Sequence, residues 1–242
     1  MIAIISDVHG NLPALEVVLE DIDVLGVERI WCLGDTLGYG PFVNECIELV
    51  AARCELVLAG NHDLAVRGDL EPARFGGSAG AGVEYARAHL EPANRALLGP
   101  LAPAMALTGI ELFHASARDP VWEYVRGPAV ATAHLKAQTQ PLSLVGHSHE
   151  QLAFVLPDGE AEAIGGPVAP GAYLELTAGA RRVLNPGSVG QPRDRDPRAA
   201  WLLLNEGQVQ FRRVPYDIPR MRAAVVAAGL PSEIGERLAL GW

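Results

Sequence analysis

Oxygen and nitrogen donors recur in this chain just where apolar runs end. Asp7-Val8-His9 follows Ile2–Ser6, Gly34-Asp35 follows Arg29–Leu33, and Gly60-Asn61-His62-Asp63 follows Glu55–Ala59. His114 closes the run from Leu107, and Gly146-His147-Ser148-His149 closes the run from Leu142. Carboxylates, imidazoles and carboxamides are the ligands of divalent cations and the groups that move protons. The flanking glycines suit sharp turns and close backbone approach. Ser148 lies between two histidines, but in an extended segment residues i and i+2 point away from i+1. His147 and His149 therefore suit a pair of ligands better than a serine nucleophile and its base.

These residues need a frame that gathers them. Ile2–Ser6 is short, β-branched and almost wholly apolar, the pattern of a strand buried on both faces. Leu12–Leu25 has helical spacing, with Leu12, Leu15, Val18, Leu19 and Ile22 on one face, Asn11 as N-cap and Pro13 in the first turn. Arg29–Leu33 and Glu55–Ala59 read as strands around a helix at Val43–Arg53. This β-α-β-α-β order implies parallel strands with right-handed crossovers. Helices are expected at Ala79–Leu90, Pro92–Leu98 and Ala129–Gln138, and strands at Leu107–His114 and Leu142–Gly146. Beyond Gln151 strands dominate: Leu152–Leu156, Tyr173–Thr177, Arg181–Leu184, Ala199–Asn205 and Gln208–Val214. Asn205-Glu206-Gly207 is a hairpin turn candidate. Pro219–Leu240 reads as a helical tail broken at Gly229–Pro231. In open α/β sheets ligands bind beyond the carboxyl ends of strands, so five distant segments converge on one place.

The ordered motifs D-x-H, G-D, G-N-H-[DE], a lone H and G-H-x-H resemble those of the calcineurin-like metallophosphoesterases, of the small bacterial kind. The resemblance spans about Ile2 to His149, and Asn185-Pro186-Gly187-Ser188 is similar to a downstream motif of the same subgroup. It implies a four-layer α/β/β/α sandwich of two mixed sheets flanked by helices. The expected extent is one domain over residues 1–242, with a helical tail from about 217 to 242. It further implies two divalent ions bridged by Asp35, one also held by Asp7, His9 and His149, the other by Asn61, His114 and His147. Such a pair neutralises the anionic phosphate and acidifies a bound water, so that a bridging hydroxide attacks phosphorus. His62 is then the general acid for the leaving oxygen, and Asp63 the group that orients its imidazole. The mixed O/N donor set suits Mn²⁺ first, then Fe²⁺, Zn²⁺, Co²⁺ or Ni²⁺, over Ca²⁺ or Mg²⁺ alone. The implied function is hydrolysis of nucleotide-type phosphodiesters. Phosphomonoesters and dinucleoside polyphosphates are the alternative substrates, and a non-catalytic scaffold is disfavoured because every ligand is present.

Substrate contacts are expected from Arg118, close after His114, and from Arg193 and Arg195 after the Asn-Pro-Gly-Ser motif, since guanidinium clamps phosphate oxygens in pairs. Tyr39, Trp122 and Tyr124 are candidates to stack on a base. Two positions depart from the family pattern. Ala115 stands where many relatives have glycine after the lone histidine, and Gly38 where a further aspartate often follows the bridging one. His89 and His134 lie on expected helices outside every motif.

Composition closes off other classes. Acidic residues outnumber basic ones 29 to 19, a formal charge of −10, which argues against a stable nucleic-acid partner or an anionic membrane surface. Small phosphate substrates respond to local charge and stay open. Lys136 is the single lysine, and there is no G-x-x-x-x-G-K or H-E-x-x-H, which removes P-loop and zincin chemistry. Cys32, Cys46 and Cys54 form neither a C-x-x-C pair nor a disulfide framework. The first residues lack a basic stretch and a long apolar run, so a cytoplasmic protein is expected. The late strands offer an edge for self-association.

Overall fold

The computed structural model describes residues 1–242. Its first sheet is built on three parallel strands, β1 (Ile2–Ile5), β2 (Arg29–Cys32) and β3 (Leu56–Val57). Helices α1 (Leu12–Val24) and α2 (Val43–Arg53) make the crossovers. Asn11 caps α1 through its side chain, accepting from the Ala14 N–H, and Pro13 sits in the first turn. Helix α3 (Asn61–Arg67) follows β3 directly, and α4 (Gly77–His89) and α5 (Pro92–Leu98) complete the helical stretch.

The expected strand Leu107–His114 is two strands. β4 (Ala104–Leu107) and β5 (Ile110–Phe113) pair antiparallel across Thr108-Gly109, where Gly109 takes φ +83°. Helix α6 (Pro128–Ala137) leads to β6 (Leu142–Val145), parallel to β5. The later strands are β7 (Gln151–Pro157), β8 (Ile164–Pro167), β9 (Tyr173–Glu175), β10 (Ala180–Pro186), β11 (Ala199–Asn205) and β12 (Gln208–Val214). They divide between two sheets, ordered β3-β2-β1-β11-β12-β9 and β4-β5-β6-β10-β7-β8. The short β8 was not expected; its Ile-Gly-Gly-Pro carries little strand signal.

Strand alternation explains the layers. Ala3 and Ile5 face α1, packing with Leu15, Val18 and Ile22. Ile4 between them faces the other sheet, in a shared core with Leu33, Leu112, Leu144 and Leu184. Phe113, Val145 and Val183 turn outward onto Ala131 and Leu135 of α6. The result is an α/β/β/α sandwich of two mixed sheets. Helices α7 (Ile218–Ala227) and α8 (Ser232–Leu238) close over Tyr39 with Met221, Val225, Ile234 and Leu238. No helix is long and apolar enough to cross a membrane.

Candidate metal centre

The donor segments leave the carboxyl ends of β1, β2, β3, β5 and β6, which lie at one rim of the sandwich. Asp7, His9, Asp35, His147 and His149 all have positive φ, between 51° and 62°. This left-handed backbone costs a non-glycine residue on the order of 1–3 kcal/mol and persists only where surroundings impose it. Here the loops are tied to one another. The Asp7 N–H donates to the Gly34 carbonyl, His9 to Asp35, and Gly10 to Thr36, while Gly190 donates back to Asp7. Gly60 lets two loops meet, because a Cβ there would lie 1.9 Å from an Asp35 carboxylate oxygen.

The side chains gather in two overlapping groups. In the first, His149 Nε2 is 3.3 Å from Asp7 Oδ1 and 3.1 Å from His9 Nε2. His9 Nε2 is 3.8 Å from Asp7 Oδ1 and 3.6 Å from Asp35 Oδ2. In the second, His114 Nε2 is 3.5 Å from that same Asp35 oxygen and 3.2 Å from Asn61 Oδ1. The His147 ring lies 5.0 Å from the His114 ring, and one of its nitrogens lies close to ligand atoms of both Asp35 and His114. One carboxylate oxygen is thus shared between two imidazole clusters, and every one of these residues is buried.

The outer hydrogen bonds set the tautomers. His9, His114 and His149 each place Nδ1 on a carbonyl, of Leu37 at 3.0 Å, Leu33 at 2.9 Å and Gln191 at 2.6 Å. A carbonyl only accepts, so each Nδ1 carries hydrogen and each Nε2 faces inward, with a free lone pair at His9 and His149. His147 is the reverse, with Nε2 on the Trp122 carbonyl at 3.3 Å and Nδ1 left for the centre. Two facing Nε2 lone pairs at 3.1 Å repel, and Asp7 Oδ1 beside them is buried without a donor. Cations resolve both conflicts, so the donor set fits a pair of metal ions.

Charge distribution agrees. Burial alone would raise the Asp7 and Asp35 carboxyls, but neighbouring histidines outweigh it and hold both below the usual range. Burial likewise disfavours the His114 cation, yet Asp35 raises this histidine to about 9. Burial dominates at His9, which it lowers well below its usual value, at His149, and at His147, which falls to about 3. Neutral imidazoles are the form that binds metal.

His62 and Asp63 part company with the expected dyad. The His62 ring lies among His9, Tyr39 and Phe75, with centroids 4.8–4.9 Å away, and its Nδ1 is buried without a partner. Burial lowers it to about 4. The Asp63 carboxylate does not reach it. It accepts instead from the backbone N–H groups of Thr36 at 3.2 Å, Leu37 at 3.0 Å and Gly60 at 3.0 Å. Asp63 sits at the third position of α3, where a carboxylate turns back onto the helix start and the adjoining β2 loop. Burial, reinforced by Asp35, raises it to about 7 against those bonds. Gly38, the other departure, packs against His62, and a Cβ there would lie 2.3 Å from Nδ1. No acid orients His62 from either position.

The substrate candidates divide. Arg193 reaches the site, donating to the Tyr39 hydroxyl at 3.2 Å and Gln191 Oε1 at 2.8 Å. It has no carboxylate partner, and its Nε is buried and unbonded. Arg118 instead pairs with Glu123 at 3.1 Å, so its own loop has taken up the expected clamp. Tyr39 is only 7% exposed, edge-on to His9 and covered by α7 and α8, so its face is closed to a base. Arg195 turns to Trp242. Trp122 and Tyr124 stand at the rim beside arginines, Arg74 over Trp122 at 4.6 Å and Arg126 over Tyr124 at 4.6 Å. Asn185 donates to the Gly146 carbonyl at 2.6 Å and to Ser148 Oγ at 2.9 Å, and Ser188 to the Asp7 carbonyl at 2.7 Å. The Asn-Pro-Gly-Ser segment therefore braces the donor loops. Of the remaining histidines, His134 is core and His89 is exposed. Gln191 and the carbonyl of Trp122 carried no sequence signal, since a backbone acceptor has no residue type.

The structure is thus a two-sheet sandwich with carboxylates and imidazoles paired at one rim. The sequence model of the calcineurin-like phosphoesterase superfamily domain matches residues 1–207, and the chain belongs to that family. A metallophosphoesterase from Sphaerobacter thermophilus has a similar structure, at TM-score 0.87 and 38% identity, covering 100% of this chain and 99% of that one. A hypothetical protein from Pyrococcus horikoshii shares the fold at TM-score 0.81 and 22% identity, over 100% and 99% of the two chains. An uncharacterised protein of Methanocaldococcus jannaschii is 34% identical over 100% of this chain and 98% of its own length. The chain is a phosphoric ester hydrolase of a dimetal-dependent family.

Proposed function

We propose that this enzyme hydrolyses phosphodiesters of nucleotide type with two divalent ions, Mn²⁺ foremost. Asp7, His9, His149 and Asp35 hold one ion, and Asn61, His114, His147 and Asp35 hold the other. The observation that carries this reading is the single Asp35 oxygen set between two imidazole clusters. When bound, the ion pair neutralises phosphate charge and makes a water nucleophilic near neutral pH. Arg193 supplies a guanidinium without a carboxylate partner, ready for phosphate oxygens. His62 stands beside His9 and offers its ring to the leaving oxygen. Burial disfavours its cation, and an arriving phosphate anion favours its protonated form. Acid catalysis is therefore tied to substrate binding.

The absent dyad acid favours a second reading within the same chemistry. With Gly38 bare and Asp63 turned to the backbone, His62 has no carboxylate to stabilise its cation. Leaving groups that need little protonation, such as the phosphate of a dinucleoside polyphosphate, then gain over alkoxides. Protein stripped with chelator and reloaded with Mn²⁺ is assayed on bis-p-nitrophenyl phosphate, p-nitrophenyl phosphate, a cyclic nucleotide and a dinucleoside polyphosphate. Metal-dependent cleavage of the diester and the cyclic nucleotide above the monoester supports the diesterase reading. Preference for the polyphosphate supports the second, and no turnover of any of them defeats both.

A further inference from the structure

His147 is held unlike the other imidazoles. The carbonyls that orient His9, His114 and His149 belong to Leu37, Leu33 and Gln191, all of them buried. His147 leans instead on the strap 119–126 at the rim. Asp119 opens the strap by accepting the N–H groups of Val121 and Trp122, each at 3.1 Å. The Trp122 carbonyl then meets His147 Nε2. The Tyr124 ring stacks on the His147 imidazole, with centroids 4.1 Å apart and planes within 14°. Arg126 lies over the ring of that tyrosine, donates to the Ser148 carbonyl at 2.9 Å and pairs with Glu150 at 3.2 Å. One strap therefore grips residues 147, 148 and 150 together. His147 needs such a grip, because its φ of +62° is not a conformation it would hold alone.

We propose that Tyr124 is a positioning residue for the second metal ion, its ring fixing the His147 imidazole so that Nδ1 faces Asp35 and His114. The proposal rests on the two-ion reading above. Groups that orient a metal ligand from behind typically change affinity 10- to 100-fold when removed. The two ions are then held unequally. The Asp7–His9–His149 position depends on buried carbonyls alone, whereas the Asn61–His114–His147 position depends also on a strap that is exposed at Tyr124 and Arg126. Loading is sequential, and the strap governs the second step.

The test is a Mn²⁺ titration of the metal-free protein, followed by electron paramagnetic resonance and by metal analysis after dialysis. An isolated Mn²⁺ ion and an exchange-coupled pair give different spectra. Tyr124→Leu should require about tenfold more free Mn²⁺, or beyond, to form the coupled pair, with first-ion binding unchanged. Tyr124→Phe should restore wild-type titration, and Arg126→Gln, which leaves the ring in place, should shift the second step in the same direction. Tyr124 is 41% exposed, so the leucine variant leaves the core intact. A Tyr124→Leu protein that forms the pair at wild-type Mn²⁺, or weakens both ions equally, overturns the proposal. Wild-type protein that never forms a coupled pair overturns the two-ion reading itself, a result distinct from failure of the strap alone.

Discussion

Replacing Asp63 separates two roles that its position in Gly60-Asn61-His62-Asp63 confuses. As a partner of His62, it would matter to catalysis and little to folding. As the structure has it, the carboxylate satisfies three buried backbone N–H groups, of Thr36, Leu37 and Gly60, and ties α3 to the loop carrying Asp35. Each buried donor left unbonded costs about 1–3 kcal/mol, so Asp63→Ala should lose roughly 3–6 kcal/mol of stability once some hydration is allowed. Asp63→Asn can keep the Thr36 and Gly60 bonds through one oxygen, but sets an NH₂ against the Leu37 N–H. It should lose about 1–3 kcal/mol. Urea denaturation of the metal-free proteins measures both, and metal analysis asks whether Asp35 has moved. The expected order is wild type above asparagine above alanine, with metal retention falling in the same order. An asparagine variant of wild-type stability and full metal content, yet selectively inactive on esters with poor leaving groups, would refute the argument and reinstate the dyad.

Further expectations follow from single contacts. His134 is buried between the Ala117 N–H and Ser143 Oγ, and burial lowers it from 6.5 to about 4. Its unfolded form takes up a proton first, so stability present above pH 6.5 is lost as pH falls toward 4, by about 3 kcal/mol. His134→Gln should flatten that slope in denaturation curves across this range, and an unchanged slope would contradict the assignment. Gly60→Ala places a Cβ 1.9 Å from an Asp35 oxygen, so metal content should collapse, measurable by metal analysis, although no donor is removed. Arg193→Met removes a guanidinium with no carboxylate partner. KM for phosphate esters should rise roughly ten- to hundredfold with metal content unchanged, since a bond to a charged donor contributes about 1.5–3 kcal/mol; steady-state kinetics decides.

Much of the site was legible because its chemistry needs particular side chains. Aspartate, asparagine and histidine at strand ends stand out by type and order, and all seven meet in the fold. The apolar run Ile2–Ser6 likewise marked a strand buried on both faces, whereas the four-layer sandwich came from the family resemblance. What stayed hidden was carried by backbone or by relation. The carbonyls of Leu33, Leu37, Gln191 and Trp122 orient the imidazoles, and no residue type announces a carbonyl acceptor. The resemblance implied that Asp63 orients His62, but a helix start directs a third-position carboxylate back to the backbone, and that contact is a matter of geometry that no residue type announces. Arg118 and Tyr39 looked available only because Glu123 and the C-terminal helices were not yet in place. The β4–β5 turn was missed because Gly109 lay inside an apolar run, although glycine there marked φ > 0.

The most direct test of the central claim joins metal count to turnover at Asp35. Metal-stripped wild type and Asp35→Asn are titrated with Mn²⁺, and bound metal and hydrolysis of bis-p-nitrophenyl phosphate are measured on the same samples. Wild type should gain activity only as the second ion binds. Asp35→Asn, with its shared oxygen weakened as a ligand, should fail to hold the pair and show no comparable turnover at the same free Mn²⁺. Full activity with one ion bound, activity indifferent to chelator, or an asparagine variant that binds two ions and turns over like wild type would contradict the account.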